Sequence, residues 1–222
     1  MNLMIKKLSV AAVVCCAAFT YSPYAFAKTA PAVPENIYEW VQSSPRMNYF
    51  FNKQEMSYGV DSKGHVDLET LIVPVIKTYD HVQIEDVRMK RSWRMEATDA
   101  LTDLAGEANY LTINIPRGVV TVDAVDLIDS HFWTVERSEP KREIVIADLT
   151  EKSRDGIFYR AILAYEKDHR REILSHTKGT LTEDEQKKFE KEEKHHEKEM
   201  KKRKEKEERE KQEKEKEKRE AE

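Results

Sequence analysis

The last 41 residues, Thr182 to Glu222, hold 16 Lys or Arg and 17 Asp or Glu, and their sizeable apolar side chains are Phe189 and Met200. No such stretch can build a core of its own. Nor can it form a coiled coil, which needs apolar positions repeating every 3.5 residues. What it can form is a helix, because it lacks Gly and Pro and is built from the strong helix formers Glu, Lys, Arg and Gln. Acid precedes base at a spacing of four in Glu190/Lys194, Glu197/Lys201, Glu199/Arg203, Glu205/Arg209, Glu207/Lys211 and Glu210/Lys214. Each such pair contributes about 0.2–0.5 kcal/mol. Thr182 followed by Glu183, Asp184 and Glu185 reads as a capped, acidic first turn. The expectation is a solitary solvated helix, roughly 60 Å long at 1.5 Å per residue, with a disordered charged tail as the alternative.

The opposite end has a different character. Lys6 and Lys7 precede an apolar stretch from Leu8 to Thr20, Pro23 breaks it, and Ala25-Phe26-Ala27 follows. This is the pattern of a cleaved secretory signal over residues 1–27. The stretch falls short of the roughly 20 apolar residues a membrane span needs, so no transmembrane segment is expected after cleavage. Both cysteines of the chain, Cys15 and Cys16, lie in this segment. A lipid-modified cysteine would follow a small residue, whereas Val14 and Cys15 stand in those places. The exported chain, Lys28 to Glu222, then has no thiol, which rules out disulfides, zinc fingers and iron–sulfur sites.

Between the two ends, Lys28 to Leu181 has 20 basic and 25 acidic residues. So small a balance speaks against nucleic-acid binding, which calls for a basic excess. Residues 28–34 contain Pro31 and Pro34 and read as an extended linker, and 35–181 has the size of one domain. The expected class is α+β, with an antiparallel sheet of six to seven strands. A short helix over Glu35–Ser43 would set Ile37, Trp40 and Val41 on one face. Strand signals cover Asn48–Val60, Val66–Ile76, Val82–Met95, Phe132–Val135 and Arg142–Leu149, and Pro74 implies an edge or a break. The clearest hairpin joins Tyr110–Ile115 to Val119–Ile128 through Pro116-Arg117-Gly118. A second turn is expected at Asp61–Gly64. Ala97–Ala105 reads as a short helix, and Ser153–Ser175 as a long amphipathic one.

Few side chains nominate chemistry. Asp61 to Asp67 has the texture of a calcium loop but lacks its bidentate glutamate. Asp123, Asp126 and Asp129 fall on both faces of a strand, as on a solvated edge. The histidines show no zinc spacing, and there is no Gly-x-Ser-x-Gly. Neither a catalytic residue nor a metal or cofactor is therefore expected. The most suggestive surface is Arg88, Lys90 and Arg94, which strand alternation would gather on one face with Trp93 turned inward. Guanidinium and ammonium groups so placed suit the phosphates or carboxylates of an anionic polymer.

Asn48-Tyr-Phe-Phe-Asn52, the Asn109-Tyr-Leu-Thr-Ile-Asn-Ile-Pro116 segment and Phe132-Trp-Thr-Val135 before Pro140 resemble small exported β-domains of the bacterial surface-adhesin-E-like kind, over about residues 48–149. The resemblance implies an envelope or surface role without enzymatic activity. The expectation is an exported, periplasmic or surface protein that binds an envelope protein or an anionic envelope polymer. An exported hydrolase and an envelope chaperone or assembly factor are the alternatives.

Overall fold

The computed structural model describes residues 31–220, so the signal over 1–27, with Cys15 and Cys16, lies outside the described residues. In chain order the elements are β1 (Tyr38–Ser43), β2 (Met47–Asn52), β3 (Ser57–Val60), β4 (Val66–Tyr79), α1 (His81–Trp93), β5 (Leu104–Asn114), β6 (Val119–Asp129), β7 (Thr134–Ser138), β8 (Arg142–Val145), α2 (Arg154–Asp168), α3 (Arg170–His176) and α4 (Glu183–Glu220). The architecture is α+β. All eight strands join one antiparallel sheet, ordered β1-β2-β4-β5-β6-β7, with β3 also pairing β4 and β8 also pairing β6. The two long strands β4 and β6 each hold two short strands end to end on one side.

Alternation builds the core. Leu71, Val73 and Val75 of β4 and Leu111 and Ile113 of β5 are buried on one face, where Phe158, Tyr159 and Ile162 of α2 and Ile173 of α3 cover them. A smaller cluster on the same face, around Tyr79, Leu101 and Leu104, is covered by Ile84 and Val87 of α1. The hairpin through Pro116-Arg117-Gly118 forms as expected, with Leu111 opposite Val122 and Ile113 opposite Val120. So does the Asp61–Gly64 turn, where Gly64 takes a left-handed φ of 84°.

Four expectations are corrected. Residues 38–43 form strand β1 and not a helix, because Tyr38, Glu39 and Trp40 pair with Asn52, Phe51 and Phe50 across a tight turn. The helical spacing of Ile37, Trp40 and Val41 was coincidental, and Trp40 faces solvent. Residues 81–93 form helix α1 and not a strand: Asp80 caps it by accepting from the Gln83 backbone N–H at 2.7 Å, and Ile84, Val87 and Arg91 share the face that meets the sheet. Residues 97–105 supply a single 3-10 turn at Asp99–Leu101 before β5 begins. The long helix over 153–175 is broken at His169 (φ −124°, ψ 25°), whose ring stacks on Tyr165 at 3.8 Å. Pro74 sits inside the central strand β4, opposite the interval between β2, which reaches Val75, and β3, which reaches Ile72. A residue without an N–H is best tolerated where the ladder is open.

The charged segment is a helix, with Thr182 and Glu185 forming a reciprocal capping box. It is not solitary. Phe189 is buried under the Arg170 guanidinium, whose carbon lies 5.0 Å from the ring centre. Arg170 reaches Glu192 at 2.8 Å, Arg171 pairs with Glu193, and His196 meets Asp168 at 3.1 Å. Further out, ion pairs at spacing four such as Arg203–Glu207, at 3.1 Å, run base first. Each of these pairs keeps one partner well exposed and so holds little, which leaves Phe189 as the main hold. Phe189→Ser should strip hydrogen-exchange protection from residues 183–199 while leaving β4 and β5 protected. Unchanged protection there would mean that ion pairs suffice.

Candidate binding surface

Side chains of directly paired residues point to the same face, so the strand register lays out the sheet surface away from α1–α3. Trp40, Phe50, Ile76, Ala108, Asp126 and Arg137 form one transverse row across six strands. At about 4.8 Å per strand the row spans about 24 Å. A second row on this face runs Ser43, Asn48, Thr78, Gly106, Ile128 and Thr134. Its near half is tied by a chain of hydrogen bonds: Trp40 Nε1 donates to Ser43 Oγ (3.3 Å), Ser43 Oγ to Asn48 Oδ1 (2.6 Å), and Asn48 Nδ2 to Thr78 Oγ1 (3.1 Å).

The far half centres on Asp126, which is 2% exposed. Its Oδ2 accepts from Thr134 Oγ1 at 3.3 Å and lies 3.6 Å from Arg137 Nη1. Its Oδ1 is buried without a hydrogen-bond partner. Arg137 in turn lies over the Tyr110 ring, 5.3 Å from its centre. Ala108 stands directly opposite the carboxylate on β5 and Arg137 on β7, with Ala124 and Ile128 on either side along β6. An idle buried acceptor costs about 1–3 kcal/mol, and a bound hydroxyl or amine would relieve that cost. Strict alternation from Val120 and Val122 would set Asp126 on the helix-covered face; the bulge between Val122 and Ala124 turns it to this one, and the sequence carried no signal of that bulge or that β6 is interior to the sheet.

The expectation of a solvated edge for Asp123, Asp126 and Asp129 is therefore corrected. β6 has β5 on one side and β7 and β8 on the other. Asp123 accepts from Thr112 Oγ1 at 2.6 Å, and Asp129 Oδ1 accepts from the backbone of His131 and Trp133. Asp103, Asp129 and His131 bring one potential ligand atom each within 4.8 Å of one another. Asp103 also accepts from Ser130 Oγ at 2.5 Å, and turn formation accounts for this group.

Arg88, Lys90 and Arg94 lie not on a strand but on α1 and its cap residue. Helical geometry spreads them round the axis, and each has an acidic neighbour: Arg88–Glu85 at 3.0 Å, Lys90–Asp86 at 2.8 Å and Arg94–Glu96 at 2.9 Å. Trp93 points outward rather than into the core.

Two charged clusters sit inside the fold. On the helix-covered face Lys77 Nζ meets Glu107 at 2.8 Å, and Glu107 also accepts from Tyr79 Oη (2.5 Å) and Asn109 Nδ2 (3.1 Å). Burial would push Glu107 up, yet Lys77 and the two donors hold it below the ordinary carboxylate value. Burial would lower Lys77, yet Glu107 holds it above the ordinary amine value. Both groups are locked in their charged forms, so neither is poised for proton transfer near neutrality. In the second cluster Tyr58 Oη donates to Glu166 at 2.6 Å, and Arg170 lies 3.3 Å from the same oxygen. Burial and the adjacent Glu166 push the Tyr58 phenol well above its usual range. Cavities of about 310 and 270 Å³ flank α4 here. The first brings His196 beside Asp168, but its lining is made of Lys, Arg, Asp, Glu and His side chains and offers no hydroxyl nucleophile.

Compared with protein-family models, with curated proteins and with solved structures, the chain gives no match.

Proposed function

We propose that the protein is an exported, non-enzymatic binding protein of the cell envelope, and that the helix-free face of the sheet is its recognition surface. The observation that carries this reading is Asp126. Its Oδ1 is buried without a partner, opposite Ala108 and beside the Tyr110–Arg137 stack. With the exposed indole of Trp40 on the same row, the face offers an acceptor, a guanidinium and an indole along one line, with the Tyr110 ring on the next row. That combination suits a hydroxyl-rich envelope polymer: hydroxyls donate to Asp126 and accept from Arg137, and apolar ring faces rest on Trp40 and Tyr110. Export rests on the residue 1–27 pattern, and the resemblance to surface-adhesin-E-like domains points the same way. No helix of the described residues is long and apolar enough to cross a membrane.

Titrating the chain from Lys28 onward with soluble fragments of envelope glycan should shift the NMR signals of β5 and β6. Asp126→Asn should weaken binding about tenfold, the size of one lost charge-assisted hydrogen bond, with the melting transition kept. If Asp126→Asn leaves binding as tight as in the native chain, Asp126 is not part of the site. A native chain that binds no glycan fragment would overturn the ligand class. Fractionation of cells expressing the full chain tests export separately, since a product retained in the cytoplasm would refute it.

A further inference from the structure

Asp126 stands on the sheet face away from α1–α3, yet it is buried, and so are Ile76, Ala124 and Ile128 around it. Side chains of the face itself therefore close over its middle. Ala108, directly opposite on β5, and Ala124, two residues back on β6, are too short to do so. The long side chain that reaches the carboxylate is that of Arg137, opposite on β7.

Arg137 does half of what a partner for this carboxylate must do. Its guanidinium brings a positive charge and rests over the Tyr110 ring, 5.3 Å from the centre. Nη1, however, stands 3.6 Å from Oδ2, beyond hydrogen-bond reach, and Oδ1 has no partner. A planar fork resting on a ring face thus fills neither oxygen. A compact ammonium group carries three rotatable donors and suits both.

Arg137 is also able to leave. Its side chain is 53% exposed, against 3% for Asp126, and its Nε already lies 3.9 Å from Glu139 at the surface. A second carboxylate thus receives the guanidinium when it swings off Tyr110. What takes its place must be a cation. A hydroxyl can share Asp126 with Arg137 in position, but it cannot replace the guanidinium, since a buried carboxylate without a compensating charge is strongly unfavourable. An ammonium group restores the charge, donates to Oδ1 and takes over the contact with the Tyr110 ring.

We infer that this face selects sugars bearing a free amino group, the ammonium taking the place of the Arg137 guanidinium between Asp126 and Tyr110 while Arg137 turns out toward Glu139. This rests on the sheet face being the recognition surface, and it names the ligand within the hydroxyl-rich class.

The test is calorimetric titration, at mildly acidic pH, of the chain from Lys28 onward, which keeps every residue described above. The probes are β-linked trimers of glucose, N-acetylglucosamine and glucosamine. All share ring faces and hydroxyls, and only the last carries a cation. The glucosamine trimer should bind at least about tenfold tighter than the other two, and Asp126→Asn should bring it level with them. Arg137→Gln removes the resident cation. It should tighten binding of the glucosamine trimer alone, and its lowered melting midpoint should recover when that trimer is added. Equal binding of the trimers to the native chain overturns the amine preference and leaves the sheet-face reading standing, whereas no binding of any of them overturns both. An amine preference that survives Asp126→Asn overturns the inference, as does weaker binding of the glucosamine trimer to the Arg137→Gln chain, because Arg137 would then hold the ligand and not yield to it.

Discussion

Lys77→Met should lower the unfolding free energy by about 3–5 kcal/mol, the usual consequence of leaving one member of a buried ion pair without its partner. Lys77 and Glu107 are largely buried and stand directly opposite each other on β4 and β5. The substitution strands a carboxylate that Tyr79 and Asn109 alone must then satisfy. Replacing both members, as Lys77→Met with Glu107→Leu, should recover most of the loss, since two apolar side chains in such a place are close to neutral. Urea titration of the native chain, the two single variants and the double variant measures this coupling. Losses that simply add would show that the pair does not act as a unit. The pair also sets a pH range. Glu107 is held below its unfolded value, so its contribution is complete above the ordinary carboxylate range, near pH 4.3, and is lost as pH falls through the lower folded value. Lys77 is held above its unfolded value, so its contribution is complete below about pH 10.4 and is lost as pH rises through the higher folded value. Between these limits the pair adds no pH dependence, and in acid the native chain should lose stability more steeply than the double variant.

Gly106→Ala should cost about 3 kcal/mol, at the upper end of the overpacking range. A Cβ built at Gly106 would stand 2.2 Å from the carbonyl oxygen of Lys77. That neighbour is backbone in the middle of the sheet, so the methyl fits only if β4 and β5 part. The same movement would displace Lys77 from Glu107, one residue further along β5, so part of this loss should be shared with the ion-pair variants. Gly64 is the contrast. It needs its left-handed φ of 84° but has nothing within 4 Å of the added atom, so Gly64→Ala should cost only about 1 kcal/mol, through conformation. A thermal or urea midpoint that falls equally for both would mean that Gly106 is tolerated by an adjustment at the sheet's centre.

The class α+β, the β5–β6 hairpin, the Asp61–Gly64 turn and the helical character of the charged segment follow from local rules. Alternation, turn residues and helix propensity act over a few positions, and composition alone bars residues 182–222 from building a core. What local rules do not reach is which of two compatible periods a segment adopts. Val87, Met89 and Trp93 alternate as a strand would, yet Asp80 starts a helix there, and Ile84 and Val87 find the cluster round Tyr79 only in the folded state. Residues 38–43 space their apolar side chains as a helix would, yet β2 lies within a tight turn's reach and pairs with them. The same holds for sites. Arg88, Lys90 and Arg94 drew notice because they are neighbours in the sequence. Asp126, Tyr110 and Arg137 come together because three strands bring separate segments into register, and Phe189 turns a solvated helix into a docked one because Arg170 lies over its ring. The sequence by itself determined the chain's local conformations and its division into apolar and charged regions, since those depend on neighbours along the backbone. Tertiary structure alone decided which faces were covered, which charges were paired and which carboxylate oxygen was left without a partner, since those depend on neighbours in space.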